Sequence, residues 1–355
     1  MTDIYHRMDL NREKTIKTFS VLGDSMKKWG TKAEIEAFNP FVAGDFYDKM
    51  EATIVSAKAY NGWFTEETVR ESFFNFGNVL TEENLTNWLN TYPVTQNSKN
   101  VGLILAGNIP LVGFHDILST IFSGHKARIK LSSDDKRTIP LLLDIVVALQ
   151  PELKEQFEIV ERLTDIDAVI ATGSDNTSRY FEKYFGHLPN IIRKNRTSVA
   201  VIKGDETKEE LTALGKDIFS YFGMGCRNVS HLILPKGFDL NDFFGAIVGY
   251  SEVINHHKYA NNYDYYKAIY LMNQEVIIEN GFLITRETKD LFAPVAMLHY
   301  HFYETEQELQ EYLDLHKEKI QVVVGKDYEA FGNTQCPKLD DYADNIDTMA
   351  FLTEL

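Results

Sequence analysis

Val101-Gly102-Leu103-Ile104-Leu105-Ala106, followed at once by Gly107-Asn108-Ile109-Pro110, decides the fold class. A short continuous apolar run bounded by turn residues reads as a strand buried on both faces, as in a parallel sheet. Gly107 to Pro110 breaks the run. A helix is expected from about Leu111 to Ser123, ended by Gly124. The whole stretch from Val101 to Phe122 is apolar enough to suggest a membrane span. It contains Asn108, Pro110, His115 and Asp116, which a lipid-facing helix carries only at high cost. It therefore reads as strand, turn and helix.

The same alternation continues outward. Arg128-Ile129-Lys130-Leu131 reads as the next strand and Ile139–Leu149 as a helix. Asp167-Ala168-Val169-Ile170-Ala171 is a further strand, then the turn Thr172-Gly173-Ser174 and a helix from about Asn176. A second block opens near Arg196. Ser198–Ile202 is a strand, Lys208–Tyr221 a helix and Leu232-Ile233-Leu234 a strand, with helices near Asp239–Val253 and Tyr263–Met272. Residues 1–95 read as mainly helical, and Thr65-Glu66-Glu67-Thr68 and Thr81-Glu82-Glu83-Asn84 are helix-opening signals. Strand alternating with helix predicts an α/β protein with parallel-sheet cores, divided into blocks 1–192 and 193–355. There is no internal repeat and no low-complexity tract.

Composition narrows the function. The chain has 355 residues, 44% hydrophobic and 25% charged, enough for two domains that each bury a core. A net charge of −16 argues against a nucleic-acid partner and against attraction to anionic membranes. Two cysteines cannot build a disulfide framework, so a reducing compartment is expected. Met1-Thr2-Asp3-Ile4-Tyr5-His6-Arg7 lacks the apolar core of a signal peptide, and a cytoplasmic location is expected. No metal-ligand set is expected.

One of the two cysteines sits in a distinctive setting: Phe222-Gly223-Met224-Gly225-Cys226-Arg227-Asn228-Val229-Ser230. Small glycines just ahead of a strand place the thiol on a tight turn, and Arg227 is a neighbouring cation that favours the thiolate. That suits a nucleophile. Read alone, a lone cysteine before a strand is more often a small buried hydrophobe. Cys336, followed by Pro337, reads as structural. The tail from Phe331 through Asp344 is expected to pack on the second block.

Five motifs stand in order: Gly107-Asn108-Ile109-Pro110, Lys130, Thr172-Gly173-Ser174, Gly225-Cys226 and Asp290-Leu291-Phe292-Ala293-Pro294-Val295. Together they resemble the aldehyde dehydrogenase superfamily. Gly107–Asp116 and Phe222–Ser230 look more like its LuxC-type fatty acyl-CoA reductase family, and the resemblance covers roughly residues 95 to 355. It implies a nucleotide-binding domain over 1–192, with a helical N-terminal region. It also implies a catalytic domain over 193–355, carrying the nucleophilic cysteine and the tail.

The resemblance implies roles residue by residue. Cys226 is the nucleophile, and Asn108 aims its amide at a developing oxyanion, with the Cys226 backbone N–H as second donor. Read alone, Asn108 is a turn residue before proline. Lys130 touches the adenosine ribose. Ser133 stands where NAD-preferring members often carry a ribose-binding Glu, so NADPH is the expected cofactor, with Lys136 and Arg137 adding positive charge. Gly173 and Ser174 lie beside the cofactor at a helix N-terminus. Asp290 holds the nicotinamide ribose hydroxyls where relatives carry Glu, and Phe292 packs by the nicotinamide. On their own, Asp290 and Phe292 read equally as a helix-ending acid and an ordinary core residue. His115 and Ser230 are candidate proton handlers by position in their motifs only.

One departure is informative. Hydrolytic aldehyde dehydrogenases carry a general-base Glu that falls here near Ile192, within Asn190-Ile191-Ile192-Arg193-Lys194, where no acid stands. Without a base to activate water, acyl-thioester chemistry is implied: reduction of a fatty acyl-CoA or acyl-protein thioester to the aldehyde through an acyl-cysteine. A CoA-acylating aldehyde dehydrogenase, a non-reducing acyl-thioester carrier subunit and an inactive homologue remain the alternatives. A homo-oligomer is implied. The 18 tyrosines and 23 phenylalanines suit an acyl tunnel, and an aromatic core explains them equally.

Overall fold

The computed structural model describes residues 2–93, 95 and 97–355, with side chains from residue 11 onward. Met1, the first residue of the segment read against a signal peptide, lies outside the described residues. The chain divides into two compact units: residues 1–194 with 338–355, and residues 195–337.

The first unit opens with helices α1 (Thr2–Gly30), α2 (Pro40–Ala43), α3 (Asp45–Tyr60), α4 (Glu66–Val79) and α5 (Glu82–Leu89). The side chains of Thr65 and Thr81 accept from the backbone N–H groups of Thr68 and Asn84, so both capping signals act as read. α1 and α4 pack backbone to backbone, because Gly23 and Gly77 sit at their crossing. A Cβ on Gly77 would lie 2.4 Å from the Lys27 nitrogen. Phe19, Leu22, Met26, Trp29 and Phe73 fill the core on either side of that crossing.

The sheet of this unit contains β1 (Asn100–Ile104), β2 (Lys126–Lys130), β3 (Phe157–Ile159), β4 (Ala168–Thr172) and β5 (Asn190–Arg193). Its order is β3-β2-β1-β4-β5, and every pair is parallel. Helices α6 (Phe114–Phe122), α7 (Thr138–Leu149) and α8 (Asp175–Phe185) make the crossovers. α6 starts three residues later than its pattern suggests. Leu111 has φ of 62° and turns the chain before the helix begins, and its N–H reaches the buried Asp135 carboxylate at 3.5 Å.

The second unit contains α9 (Lys208–Phe219), α10 (Leu240–Ile247), α11 (His257–Met272) and α12 (Glu306–His316). Its strands are β6 (Thr197–Val201), β7 (Val229–Pro235), β8 (Ile278–Glu279), β9 (Ile284–Glu287), β10 (Met297–Tyr303) and β11 (Ile320–Val324). The order is β11-β6-β7-β10-β9-β8, parallel except for the short β8–β9 pair. α9 ends at Phe219, earlier than expected, because Tyr221 and Phe222 adopt φ of 51° and 58°.

The tail is a correction. Phe331–Pro337 stays with the second unit, where Asp217 accepts from the N–H groups of Gly332 (2.6 Å) and Thr334 (3.0 Å). Residues 338–355, including α13 (Thr348–Thr353), belong to the first unit instead. Leu339, Tyr342, Met349 and Leu352 are buried in the first unit's core, and Trp88 donates to the Tyr342 hydroxyl at 2.7 Å. The apolar face and hydroxyl partners that the tail requires lie there. No helix among the described residues is long and apolar enough to cross a membrane.

Candidate active site

In the first unit, the expected cofactor residues gather at one edge of the sheet. Asn108 leaves β1, Lys130 ends β2 with Ser133 just beyond it, and Gly173-Ser174 follows β4. These are the carboxyl ends of the adjacent strands β2, β1 and β4. The strand order reverses direction at β1, which makes this a topological switch point where open α/β sheets bind ligands. Gly107 is required here: a Cβ would meet the Ser132 hydroxyl at 2.4 Å, so only glycine lets the two loops close together.

Asn108, Lys130, Ser133 and Ser174 are exposed, and Gly173 is half-buried. The Ser174 hydroxyl accepts from the Thr177 N–H at 3.3 Å and caps α8, and the Gly173 N–H donates to the Arg193 carbonyl at 3.3 Å. Arg137 is committed elsewhere, with its guanidinium 3.3 Å from the Tyr60 ring centre. Lys130 and Lys136 are the exposed lysines of that edge. Burial holds the Asp135 carboxyl above the usual carboxylate range, despite N–H donors from Leu111 and Thr138.

The strand around Ile192 carries its own information. The carboxylate bound to it is Asp116, and Arg193 grips that group with both terminal nitrogens, at 2.7 and 2.9 Å. Both side chains are buried, and Arg193 also donates to the Thr348 hydroxyl at 3.0 Å. This acid is neutralised by a bidentate pair and serves the packing of the unit. His115 is structural too: its Nε2 bonds the Leu339 carbonyl at 2.9 Å, between the rings of Trp88 and Tyr342.

In the second unit, Cys226 occupies the corner of a turn closed by the Asn228 N–H on the Gly225 carbonyl, 3.0 Å. It is partly accessible, and neither it nor Cys336 is in a disulfide. The approach from α9 is strained, because Tyr221 and Phe222 have positive φ, a region that Gly223 after them adopts freely. Asn228, which sequence reasoning passed over, holds this approach. Its buried Oδ1 accepts from the Gly225 N–H at 2.8 Å, and its Nδ2 donates to the carbonyls of Asp217 (3.0 Å) and Ser220 (2.8 Å). The Ser198 hydroxyl fixes the Cys226 carbonyl at 3.0 Å. Phe222 stacks on His256 with ring centres 4.2 Å apart.

Asp290 and Phe292 lie on the strap that leads into β10, next to β7 in the sheet. Because β7 and β10 run parallel, the Cys226 turn and this strap enter the sheet from the same edge. Asp290 and Phe292 face outward, whereas Leu291 between them is buried in the core under α12. Ser230 is not placed as a proton handler. Its hydroxyl shares a hydrogen bond with the Thr197 hydroxyl at 2.6 Å and donates to the Leu291 carbonyl at 3.2 Å, tying β6, β7 and the strap together.

Beneath the strap lies a cluster that sequence reasoning also missed: His231, His299, His301 and Tyr312. Burial drives His231 down to about 3, helped by neighbouring His301, and drives His301 down to about 4. The alternation His299-Tyr300-His301 put two imidazoles on one face, but the register that sets His299 beside His231 is visible only in the sheet.

The model of the acyl-CoA reductase (LuxC) family matches residues 47–242, more than half of the chain. No curated protein matches the sequence. Among solved structures, the chain is similar to a variant of betaine aldehyde dehydrogenase from Staphylococcus aureus. That match has 15% identity and a TM-score of 0.62, covering 89% of this chain and 72% of that one. It is also similar to HpcC from Thermus thermophilus, at 13% identity and a TM-score of 0.61, covering 88% and 69%. Aldehyde dehydrogenase 21 from Physcomitrella patens, solved with its product succinate, matches at 10% identity and a TM-score of 0.61, covering 89% and 74%. At these identities the likeness shows the fold, that of aldehyde dehydrogenases. With the family match over residues 47–242, the chain belongs to the LuxC acyl-CoA reductase family, oxidoreductases that act at the acyl and aldehyde level.

Proposed function

We propose that this protein reduces a fatty acyl thioester, with CoA or a carrier protein as donor, to the aldehyde, using NADPH and an acyl-Cys226 intermediate. The observation that carries the reading is the Cys226 turn. A partly accessible thiol sits on a strained corner held by Asn228 and Ser198, at the same sheet edge as the outward-facing Asp290 and Phe292. A cysteine that served only to fill the core has no need of such a corner.

The Cys226 thiolate attacks the acyl carbonyl carbon. A new C–S bond forms and the donor thiolate leaves. Asn108 and the Cys226 backbone N–H are the proposed donors to the oxyanion. The switch-point edge fits a dinucleotide: Gly107 lets the loops after β1 and β2 close together, Lys130 and Ser133 would take the adenosine ribose end, and Gly173-Ser174 the turn at α8. Asp290 would hold the nicotinamide ribose and Phe292 would pack by the ring. Ser133, with Lys130 and Lys136 exposed nearby, favours a 2′-phosphate over the bare ribose. NADPH, when bound, supplies the hydride that takes the acyl group to the aldehyde level. The bond to Cys226 then breaks, the aldehyde leaves and the thiolate is restored. The acid that would activate water stands nowhere in residues 190–194, so the acyl-enzyme is kept for reduction. We propose further that the protein works in the cytoplasm as a homo-oligomer, with residues 1–192 binding nucleotide.

The test is NADPH oxidation with acyl-CoAs of increasing chain length, against NADH, for wild type and Cys226→Ser. Aldehyde from wild type and none from the variant supports the reading. Acylation of Cys226 without any nicotinamide oxidation would instead identify a thioester carrier.

A further inference from the structure

We infer that His231, His299 and Ser230 are positioning residues that clamp the strap carrying Asp290 and Phe292, and so set its grip on the nicotinamide end of the cofactor. The assignment of that strap to the cofactor rests on the function proposed above. The clamp itself rests on geometry within the second unit.

Three consecutive carbonyls of the strap are each bound by a side chain. The Tyr312 hydroxyl donates to the Lys289 carbonyl at 3.2 Å. His231 Nδ1 and His299 Nδ1 both bond the Asp290 carbonyl, at 3.0 and 2.9 Å. Ser230 donates to the Leu291 carbonyl at 3.2 Å. The segment lies between β9 and β10, outside both strands, so side chains do here what a ladder does elsewhere. With its carbonyls drawn inward and Leu291 buried, the strap has one way to face, which turns Asp290 and Phe292 outward.

The hydrogen-bond pattern also fixes the protons. A carbonyl oxygen only accepts, so both Nδ1 atoms on Asp290 carry hydrogen. Burial keeps His231 neutral, so its Nε2 is a bare acceptor, 2.7 Å from His301 Nδ1, which donates to it. The pattern then selects the Nδ1–H tautomer of His231. His299 Nε2 is buried and has no hydrogen-bond partner among the described residues. Only its Nδ1–H is used, so an amide that reproduces that single donor should replace it.

The experiment compares His299→Leu, which removes the donor, with His299→Asn, which keeps an N–H near the same place. Backbone hydrogen exchange over residues 289–293 reads the order that the clamp imposes on the strap. KM for NADPH reads its consequence, and acyl transfer from acyl-CoA to Cys226, which needs no cofactor, is the control. The expected result is faster exchange, a KM raised about tenfold and unchanged acyl transfer in His299→Leu, largely restored in His299→Asn. Ser230→Ala, which leaves a smaller gap, should show a milder form of the same pattern, and it serves if His299→Leu does not fold. Unchanged exchange over 289–293 in both removals overturns the clamp. Faster exchange with unchanged KM, in these and in Asp290→Ala, upholds the clamp and overturns the assignment of the strap to the cofactor.

Discussion

Asn228→Ala separates the scaffold of the nucleophile from the nucleophile itself. The side chain is buried and makes three good hydrogen bonds: from the Gly225 N–H at 2.8 Å, to Ser220 at 2.8 Å and to Asp217 at 3.0 Å. A fourth contact, to the Ile218 carbonyl at 3.4 Å, adds little. At about 1 kcal/mol net per bond, the amide contributes about 3 kcal/mol. It works against the left-handed backbone of Tyr221 and Phe222, which costs about 1–2 kcal/mol per residue. The two sums nearly match, so without the amide the approach relaxes and the Cys226 corner is lost with it. Because that relaxation releases the backbone strain, the expected loss in urea unfolding is smaller than about 3 kcal/mol, and the deciding readout is acyl transfer to Cys226, slowed at least about tenfold. Asn228→Asp keeps the shape but sets an acceptor against the Ser220 and Asp217 carbonyls, and should be no better. The assay is urea melting beside the rate of acyl transfer, in a Cys336→Ser background so that one thiol reports. An Asn228→Ala protein within about 0.5 kcal/mol of wild type, acylating at the wild-type rate, would refute the reasoning.

Other expectations follow from the same geometry. Asp116→Ala strands the buried Arg193 guanidinium and should destabilise the first unit by about 3–5 kcal/mol in urea melts, with Arg193→Met and Asp116→Leu together costing less than either alone. His231 and His301 are held near 3 and 4 in the folded protein, below the imidazole range of the unfolded chain. As pH falls from about 6.5 towards 4, the unfolded chain takes up protons that the folded protein refuses. Stability should fall by up to about 1.4 kcal/mol per pH unit for each imidazole. The groups facing them are His299, Tyr312, His316, Lys289 and Asp290, and His301→Asn should flatten the slope of a pH series of melts. Ser133→Glu places a carboxylate where the 2′-phosphate is proposed to lie. It should lower kcat/KM for NADPH about tenfold while leaving NADH turnover close to wild type; an equal effect on both cofactors would remove Ser133 from that role.

The fold was largely legible because the parallel strands announce themselves. β1, β4 and β6 are continuous apolar runs, and the turns after them carry glycine, proline or a capping serine or threonine. Cys226 stood out for its glycine-rich approach. What surrounds it did not. Asn228 is an ordinary turn residue in sequence, and its role depends on carbonyls eight and eleven residues upstream. His231 and His299 are far apart in the chain and meet only through the β7–β10 register. Ser230 read as a proton handler from its place beside the motif, whereas its partners, Thr197 and Leu291, come from two distant segments. The tail was misplaced because its apolar residues show that it must pack somewhere but not on which unit.

The most direct test is the mass of the peptide carrying Cys226 after incubation with a long-chain acyl-CoA and no nicotinamide cofactor. The account predicts one acyl group on Cys226 and none on Cys336, discharged on adding NADPH as an equal amount of aldehyde appears. A protein that turns over acyl-CoA with Cys226 unmodified throughout, or with Cys226→Ser fully active, would contradict it.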